Sequence, residues 1–120
     1  MKRILIIDDD PQLGRSLQRV LQGEGYACYL APDSSVAAAI AAEFKPDAIL
    51  IELQPEQAPV LPELRAALGP VPFVFMAGDH HDFARLGEIV QPSDDWLAKP
   101  AAPQEFVVRL RTALRRAQGN

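Results

Sequence analysis

Acidic residues and one lysine stand where apolar segments of this sequence end. Asp8, Asp9 and Asp10 follow one apolar run, Glu52 follows a second, and Lys99 follows a third. Carboxylate oxygens on a rigid frame suit Mg²⁺, which keeps several waters and takes only one or two protein carboxylates. A metal ion and a lysine can together neutralise a phosphoryl group as it is transferred to a further carboxylate. The alternative role for these acids is capping of the following helix, which we expect of Asp10.

These residues can act together only if the chain brings the segment ends to one place. Short apolar runs alternate with segments of helical periodicity, an order typical of an α/β fold. The predicted strands are 3–7, 26–30, 48–51, 71–76 and 95–98, and the predicted helices start at Pro11, at Asp33 or Ser34, at Leu61, at Phe83 and near Pro103. Right-handed crossovers then place helices on both faces of the sheet.

The expected architecture is therefore a (βα)5 flavodoxin-like three-layer sandwich, with a five-stranded parallel sheet of order 2-1-3-4-5. In that order the switch point lies between strands one and three, and ligands bind outside the carboxyl ends of the strands. Asp8 and Asp9 end strand one, Glu52 ends strand three, and Ala77 and Lys99 end strands four and five. The sequence thus predicts that all five lie at one edge of the sheet.

Helical periodicity also separates inner from outer faces. The second helix is expected to turn Val36, Ile40 and Phe44 inward. The last helix places apolar residues on one side, namely Phe106, Leu110, Ala113 and Leu114. Its other side is basic and holds Arg109, Arg111, Arg115 and Arg116. Cations in a last turn complement the helix dipole, so we expect solvated charges there in preference to a binding patch.

Three segments resemble the marker segments of the receiver domains of bacterial response regulators. They are residues 6–11 (IIDDDP), 45–51 (KPDAILI) and 94–100 (DDWLAKP), and the similarity runs over essentially the whole chain. In that family the first segment supplies metal-binding acids, which match Asp8 and Asp9 here. The third supplies a phosphate-contacting lysine, which matches Lys99. The resemblance implies Mg²⁺ as the metal, and a sensor kinase and an effector domain as partners.

The sequence departs from the family at the position of the phosphoryl acceptor. The family has aspartate at the end of strand three, where this chain has Glu52. Glutamate carries its carboxylate one C–C bond further out, about 1.5 Å, and a misplacement of about 1 Å can cost a reaction roughly 100-fold. We therefore expect Glu52 to be a degenerate acceptor position, with Mg²⁺ binding weak or absent.

A second departure affects the switch that the resemblance implies. A hydroxyl residue at the end of strand four normally contacts the phosphoryl group, and an aromatic residue on strand five follows it inward. This chain has Ala77 and Trp96 at those positions. Ala77 lacks the hydroxyl, whose charge-assisted hydrogen bond is worth roughly 1.5–3 kcal/mol. We therefore expect one fixed conformation.

Composition limits the environment and partners of the chain. It has 120 residues, enough for one domain, and a net charge of −4, which argues against direct binding to nucleic acid. The single cysteine, Cys28, is expected to be a buried reduced thiol of a cytoplasmic protein. No apolar run approaches the roughly 20 residues that cross a bilayer.

These observations favour one function and leave two alternatives. We expect residues 1–120 to be a phosphorylation-independent receiver domain without enzymatic activity, the N-terminal regulatory module of a longer transcriptional regulator. The resemblance implies a homodimer through the fourth predicted helix, the fifth strand and the last helix, which form the usual dimerisation face of the family. The first alternative is a phosphorylatable receiver with Mg²⁺-dependent self-dephosphorylation. The second is a stand-alone adaptor without an output domain.

Overall fold

The computed structural model of the protein describes residues 1–52, 61–77, 91–92, 94–98 and 102–118. The strands are β1 (Arg3–Ile7), β2 (Ala27–Ala31), β3 (Ala48–Glu52), β4 (Phe73–Ala77) and β5 (Asp95–Ala98). The helices are α1 (Pro11–Gly23), α2 (Ser34–Phe44), α3 (Leu61–Leu68) and α4 (Pro103–Ala117), the last helix. The helix predicted at 83–90 lies outside the described residues.

The five strands form one parallel sheet in the order β2-β1-β3-β4-β5. This order confirms the predicted flavodoxin-like topology. Side chains alternate between the two faces of a strand, so β1 contributes to two cores. Leu5 and Ile7 pack with α2 and α3 on one face, while Ile4 and Ile6 pack with α1 and α4 on the other. The sheet is therefore the middle of three layers.

Three strands, β2, β3 and β4, differ from the prediction at their boundaries, and β3 ends at Glu52 and β4 at Ala77, each one residue later than expected. β2 begins at Ala27, one residue later than expected, and ends at Ala31. β4 begins at Phe73 because Val71 donates its N–H to the Gly69 carbonyl in a turn, 2.8 Å away. Pro72 has no N–H and contributes only its carbonyl, which accepts from the Ile49 N–H at 3.0 Å. The prediction included residues 71 and 72 because both are apolar, but the first β4 residue in register with β3 is Phe73.

The inner face of α2 is also shifted from the prediction. Ala37 and Ala41 are its buried residues, and Val36, Ile40 and Phe44 are only partly buried around them. Small side chains at the centre of the contact let the helix axis approach the sheet, while the larger ones cover its sides. In α4, by contrast, the predicted inner residues are buried, and Val107 joins them.

Two further expectations concern the burial of Cys28 and helices that could span a membrane. Cys28 is only half-buried, and burial raises the pKa of its thiol to about 11, so the thiol is neutral near pH 7. Among the described residues, no helix has the length and apolar character needed to span a membrane.

Candidate functional site at the carboxyl edge of the sheet

The acidic end of β1 is built by its pairing with its neighbours. Ile7 lies opposite Ala31 of β2 and Ile51 of β3. The Asp8 N–H donates to the Ala31 carbonyl at 3.0 Å, which extends the pairing by one residue. Asp8 therefore leaves the sheet in a fixed direction and is buried, with 4% of its surface exposed.

Asp10 caps α1, as predicted. Its backbone is extended, with φ −93° and ψ 104°, and its side chain accepts hydrogen bonds from the N–H groups of Gln12 and Leu13 at 3.0 and 3.3 Å. Its own N–H donates to Asp8 Oδ1 at 2.8 Å. Pro11 holds the first helical position, where the missing N–H costs nothing. The three consecutive acids thus differ in role: Asp10 caps the helix, Asp8 accepts from the Asp10 N–H, and Asp9 is exposed.

Those two acids meet Glu52 at the end of β3. Asp8, Asp9 and Glu52 each offer a carboxylate oxygen, and these oxygens lie within 4.8 Å of one another. Asp9 is exposed, Glu52 is half-buried and Asp8 is buried, so the cluster opens from the sheet toward solvent. Oxygen ligands at this spacing, on strands fixed by hydrogen bonds, fit the needs of a hard divalent cation.

The roles predicted from the sequence were separate, with Asp8 and Asp9 as metal ligands and Glu52 as the degenerate acceptor position. The structure brings all three into one group. The longer side chain of glutamate, which argued against phosphoryl transfer, also lets its carboxylate reach toward the acids that follow β1. A glutamate at the end of a strand beside a strand that ends in two aspartates was the available signal.

The remaining predicted residues are placed only in part. β4 ends at Ala77 and β5 at Ala98, and these two residues are paired at the same edge as the acids. Lys99 follows β5 directly in sequence but lies outside the described residues, so its contact with phosphate stays a prediction. Trp96 on β5 keeps 43% of its surface exposed.

A second group of charges, at the amino-terminal end of β5, was not predicted from the sequence. Arg65 of α3 pairs with Asp94, and Arg109 of α4 pairs with Asp95. The basic face of α4 is exposed, as expected, at Arg109, Arg111, Arg115 and Arg116. Within this exposed face Arg111 also pairs with Glu24, and Arg116 lies 3.9 Å from Asp95. The available signal was an arginine among the buried leucines of α3 and a pair of aspartates before a strand.

Comparison with curated proteins finds relatives over nearly the whole chain. The DNA-binding response regulator MtrA of Mycolicibacterium smegmatis is 36% identical over 118 residues, covering 96% of this chain and 51% of that protein. The response regulator MprA of Mycolicibacterium vanbaalenii is 32% identical over 117 residues, covering 95% of this chain and 51% of that protein. The chain therefore spans about half the length of these relatives. No protein-family model matches it.

Solved structures share the fold. A CheY-like response regulator receiver domain protein from Methanospirillum hungatei superimposes with a TM-score of 0.84 at 18% identity, over 99% of this chain and 98% of that one. A two-component response regulator from Clostridium difficile gives a TM-score of 0.80 at 24% identity, over 97% of this chain and 98% of that one. These likenesses agree with the strand order observed here.

Proposed function

Because the chain is a response-regulator receiver domain, we propose that it works as a degenerate receiver, one that regulates an attached or associated effector without accepting a phosphoryl group. The observation that carries this proposal is Glu52, which stands at the acceptor position and offers its carboxylate to the same cluster as Asp8 and Asp9. Such a domain carries out no catalysis of its own.

The geometry of the cluster supports this role for Glu52. Phosphoryl transfer requires the acceptor oxygen to stand in line with the donor, while the metal-binding acids hold a cation beside it. The carboxylate of Glu52 is about 1.5 Å further from its own backbone than that of an aspartate. It already lies within 4.8 Å of the carboxylates of Asp8 and Asp9. That position suits a third ligand or a permanent negative charge better than a nucleophile.

A divalent cation fits the cluster, and we expect it to bind weakly. Asp8, Asp9 and Glu52 would hold it, and it would supply positive charge that relieves the repulsion among three carboxylates. Mg²⁺ retains several waters and needs few protein ligands, and the open side of the cluster at Asp9 leaves room for them. We expect binding to be weak because two of the three carboxylates stay partly in water.

A second candidate function is a receiver that is phosphorylated in the ordinary way. It is favoured by the relatives, which are named as response regulators, and by the presence of both Asp8 and Asp9. A kinase partner and a DNA-binding or other effector partner are proposals under either candidate, since the chain spans about half of those relatives. A cytoplasmic location and transcriptional regulation likewise stay predictions.

We further propose a homodimer through β5 and α4, the described part of the face expected from the sequence. Trp96, Leu97, Ala98, Glu105 and Arg109 line a cavity of about 400 Å³ at this edge. On the next turn of α4, Val108 is 60% exposed. An isologous contact brings the same patch from both copies together, so Glu105 of one copy can face Arg109 of the other. An apolar centre with complementary charges around it is typical of such interfaces.

The first prediction concerns the acceptor. Incubation with acetyl phosphate and Mg²⁺ should leave the protein unmodified, because Glu52 is misplaced. Glu52→Asp should gain an acid-labile phosphoryl adduct, since it restores the shorter side chain at the same position. Intact-mass spectrometry measures both. A stoichiometric adduct on Glu52 of the unaltered protein would falsify the degenerate function and support the second candidate.

The second prediction concerns the metal. Millimolar Mg²⁺ should raise the melting temperature, because a ligand that binds the folded state stabilises it, and Asp9→Asn should remove that rise. Asp10→Asn is the matched control: it removes the same charge one residue away but keeps a side chain that caps helices about as well as aspartate. Calorimetric melting with and without Mg²⁺ tests the pair. Equal rises in both variants would rule out Asp9 as a ligand.

The third prediction concerns assembly. Val108→Glu should shift the protein from dimer to monomer, because it places two carboxylates at the centre of the symmetric contact. Tyr29→Glu on β2, an exposed aromatic residue at the other edge of the sheet, should leave the dimer intact. Sedimentation velocity distinguishes the species. A monomer in the unaltered protein, or a dimer that survives Val108→Glu, contradicts the proposed interface.

The fourth prediction concerns switching. Beryllofluoride with Mg²⁺, which mimics a bound phosphoryl group, should change neither the fluorescence of Trp96, the sole tryptophan, nor the sedimentation profile. A ligand shifts an equilibrium only through contacts that differ between two states, and Ala77 has no hydroxyl to make such a contact. A fluorescence change accompanied by a change in oligomeric state would show that the domain still switches.

A further inference from the structure

Asp94, the residue before β5, has a fully buried carboxylate. Its side chain is 0% exposed and forms an ion pair with the guanidinium of Arg65 from α3. The N–H groups of Phe73 and Gln91 donate to the same carboxylate at 2.9 and 2.8 Å. A buried charge is tolerated only when it is paired and hydrogen-bonded, and here donors from three parts of the chain converge on one group.

The position of Arg65 is set independently of this ion pair. Its guanidinium carbon lies 4.4 Å from the centroid of the Phe73 ring and 5.9 Å from that of Phe75. These rings are 5.7 Å apart and belong to the core beneath α3. The planar guanidinium can stack on a ring and bind a carboxylate at the same time, which an ammonium group cannot do. Arg65 is therefore held between the sheet and Asp94 with its side chain 16% exposed.

The next residue, Asp95, is bound by arginines of α4, which lies on the other face of the sheet. Asp95 Oδ1 accepts from Arg109 of α4 at 3.4 Å and from the Trp96 N–H at 2.8 Å. Arg116 of α4 lies 3.9 Å from the second carboxylate oxygen of Asp95 and donates to the Asp94 carbonyl at 3.4 Å. Residues 94 and 95 are thus bound by arginines from both helical layers. We call Arg65, Arg109 and Arg116, with Asp94 and Asp95, the arginine clamp.

We propose that the arginine clamp is a positioning device that fixes the start of β5, and with it Trp96 and the β5–α4 face, in one place relative to the rest of the sheet. Arg65 is its principal residue, because its partner is the more deeply buried carboxylate. Conformational switching needs an element with two arrangements of similar free energy. A carboxylate that is buried, paired and hydrogen-bonded from three directions has one arrangement in which all its partners are satisfied.

This inference deepens the proposed function by giving a physical cause for the fixed conformation. The acidic cluster and the clamp lie at opposite ends of the parallel strands, so the clamp acts without any change at Glu52. The face that carries Trp96 then takes its position from α3 and α4. Loss of Arg65 should increase local opening of that face without changing local opening of β2, the outermost strand on the other side of the sheet.

The test compares local opening in β5 and β2, the two outermost strands of the sheet. Native-state amide hydrogen exchange is measured for residues 95–98 of β5 and 27–31 of β2, without phosphodonor or metal. Arg65→Met, which keeps an unbranched apolar side chain but removes the guanidinium, should speed exchange in β5 by about 10-fold or more, and exchange in β2 by less than about 2-fold. Acrylamide should also quench Trp96 more strongly.

Three further variants separate positioning from general destabilisation. Leu64→Ala removes a buried neighbour of Arg65 in α3, and it should speed exchange in β5 and β2 by similar factors. Arg111→Met breaks the exposed ion pair with Glu24 and should leave the exchange rates of both β5 and β2 unchanged. Arg65→Lys keeps the charge but loses the fork and the stacking, and it should reproduce the β5 effect in weaker form. If Arg65→Met fails to fold, Arg65→Lys provides the same comparison.

Equal acceleration of β5 and β2 in the Arg65 variants would reduce the clamp to an ordinary stabilising contact and overturn the proposal, as would unchanged exchange at β5. Neither result bears on phosphoryl transfer, because the measurement uses no phosphodonor. Conversely, a phosphoryl adduct on Glu52 would overturn the degenerate function and leave the exchange result standing. The two proposals can therefore fail separately.

Discussion

Parallel pairing of β1 with β3 is the interaction on which the site depends. Ile7 lies opposite Ile51, so the residues that follow them, Asp8 and Glu52, leave the sheet at the same level. Parallel strands bring like ends together, and two strands that each end in acids must therefore concentrate negative charge at one edge. The buried apolar residues of both strands fix this register, because a slip by one residue would turn them from one face of the sheet to the other.

Concentrated charge has both a cost and a use in this arrangement. Three carboxylates with oxygens within 4.8 Å of one another repel each other. The cost is limited because Asp9 is exposed and because Asp10, the fourth acid, directs its carboxylate to the N–H groups of α1. The three carboxylates of Asp8, Asp9 and Glu52 are the group that we propose as a cation site.

The two ends of the strands handle charge in opposite ways. At the carboxyl edge, like charges meet and open toward solvent. Near the amino-terminal end of β5, the buried charges are neutralised by arginines that reach in from both helical layers. A buried ion pair adds little net stability compared with apolar packing, but it strongly disfavours arrangements in which one partner is left alone. The first edge is therefore suited to ligands, and the second to holding one geometry.

Local patterns in the sequence determined much of this protein. Short apolar runs placed all five strands, and period-3.6 patterns placed the four described helices, within about two residues, while the Asp10–Pro11 pair located the start of α1. The alternation of strands and helices predicted a parallel (βα)5 sheet, and the flavodoxin-like strand order then predicted the edge that collects Asp8, Asp9 and Glu52. Each of these features depends on residues close in sequence or on general rules of chain topology.

Tertiary structure alone decided which side chains meet across long separations in the chain. Arg65 and Asp94 are 29 residues apart and Arg109 and Asp95 are 14 apart. The leucines around Arg65 indicate that it is partly buried, but no local pattern identifies its partner. The same holds for the alanines at the centre of α2, because the distance between helix and sheet sets how large an inner side chain can be. It also holds for Glu52 as a partner of Asp8 and Asp9. The reach of its side chain matters only once β1 and β3 are paired, since it is the sheet that sets the distance to be spanned.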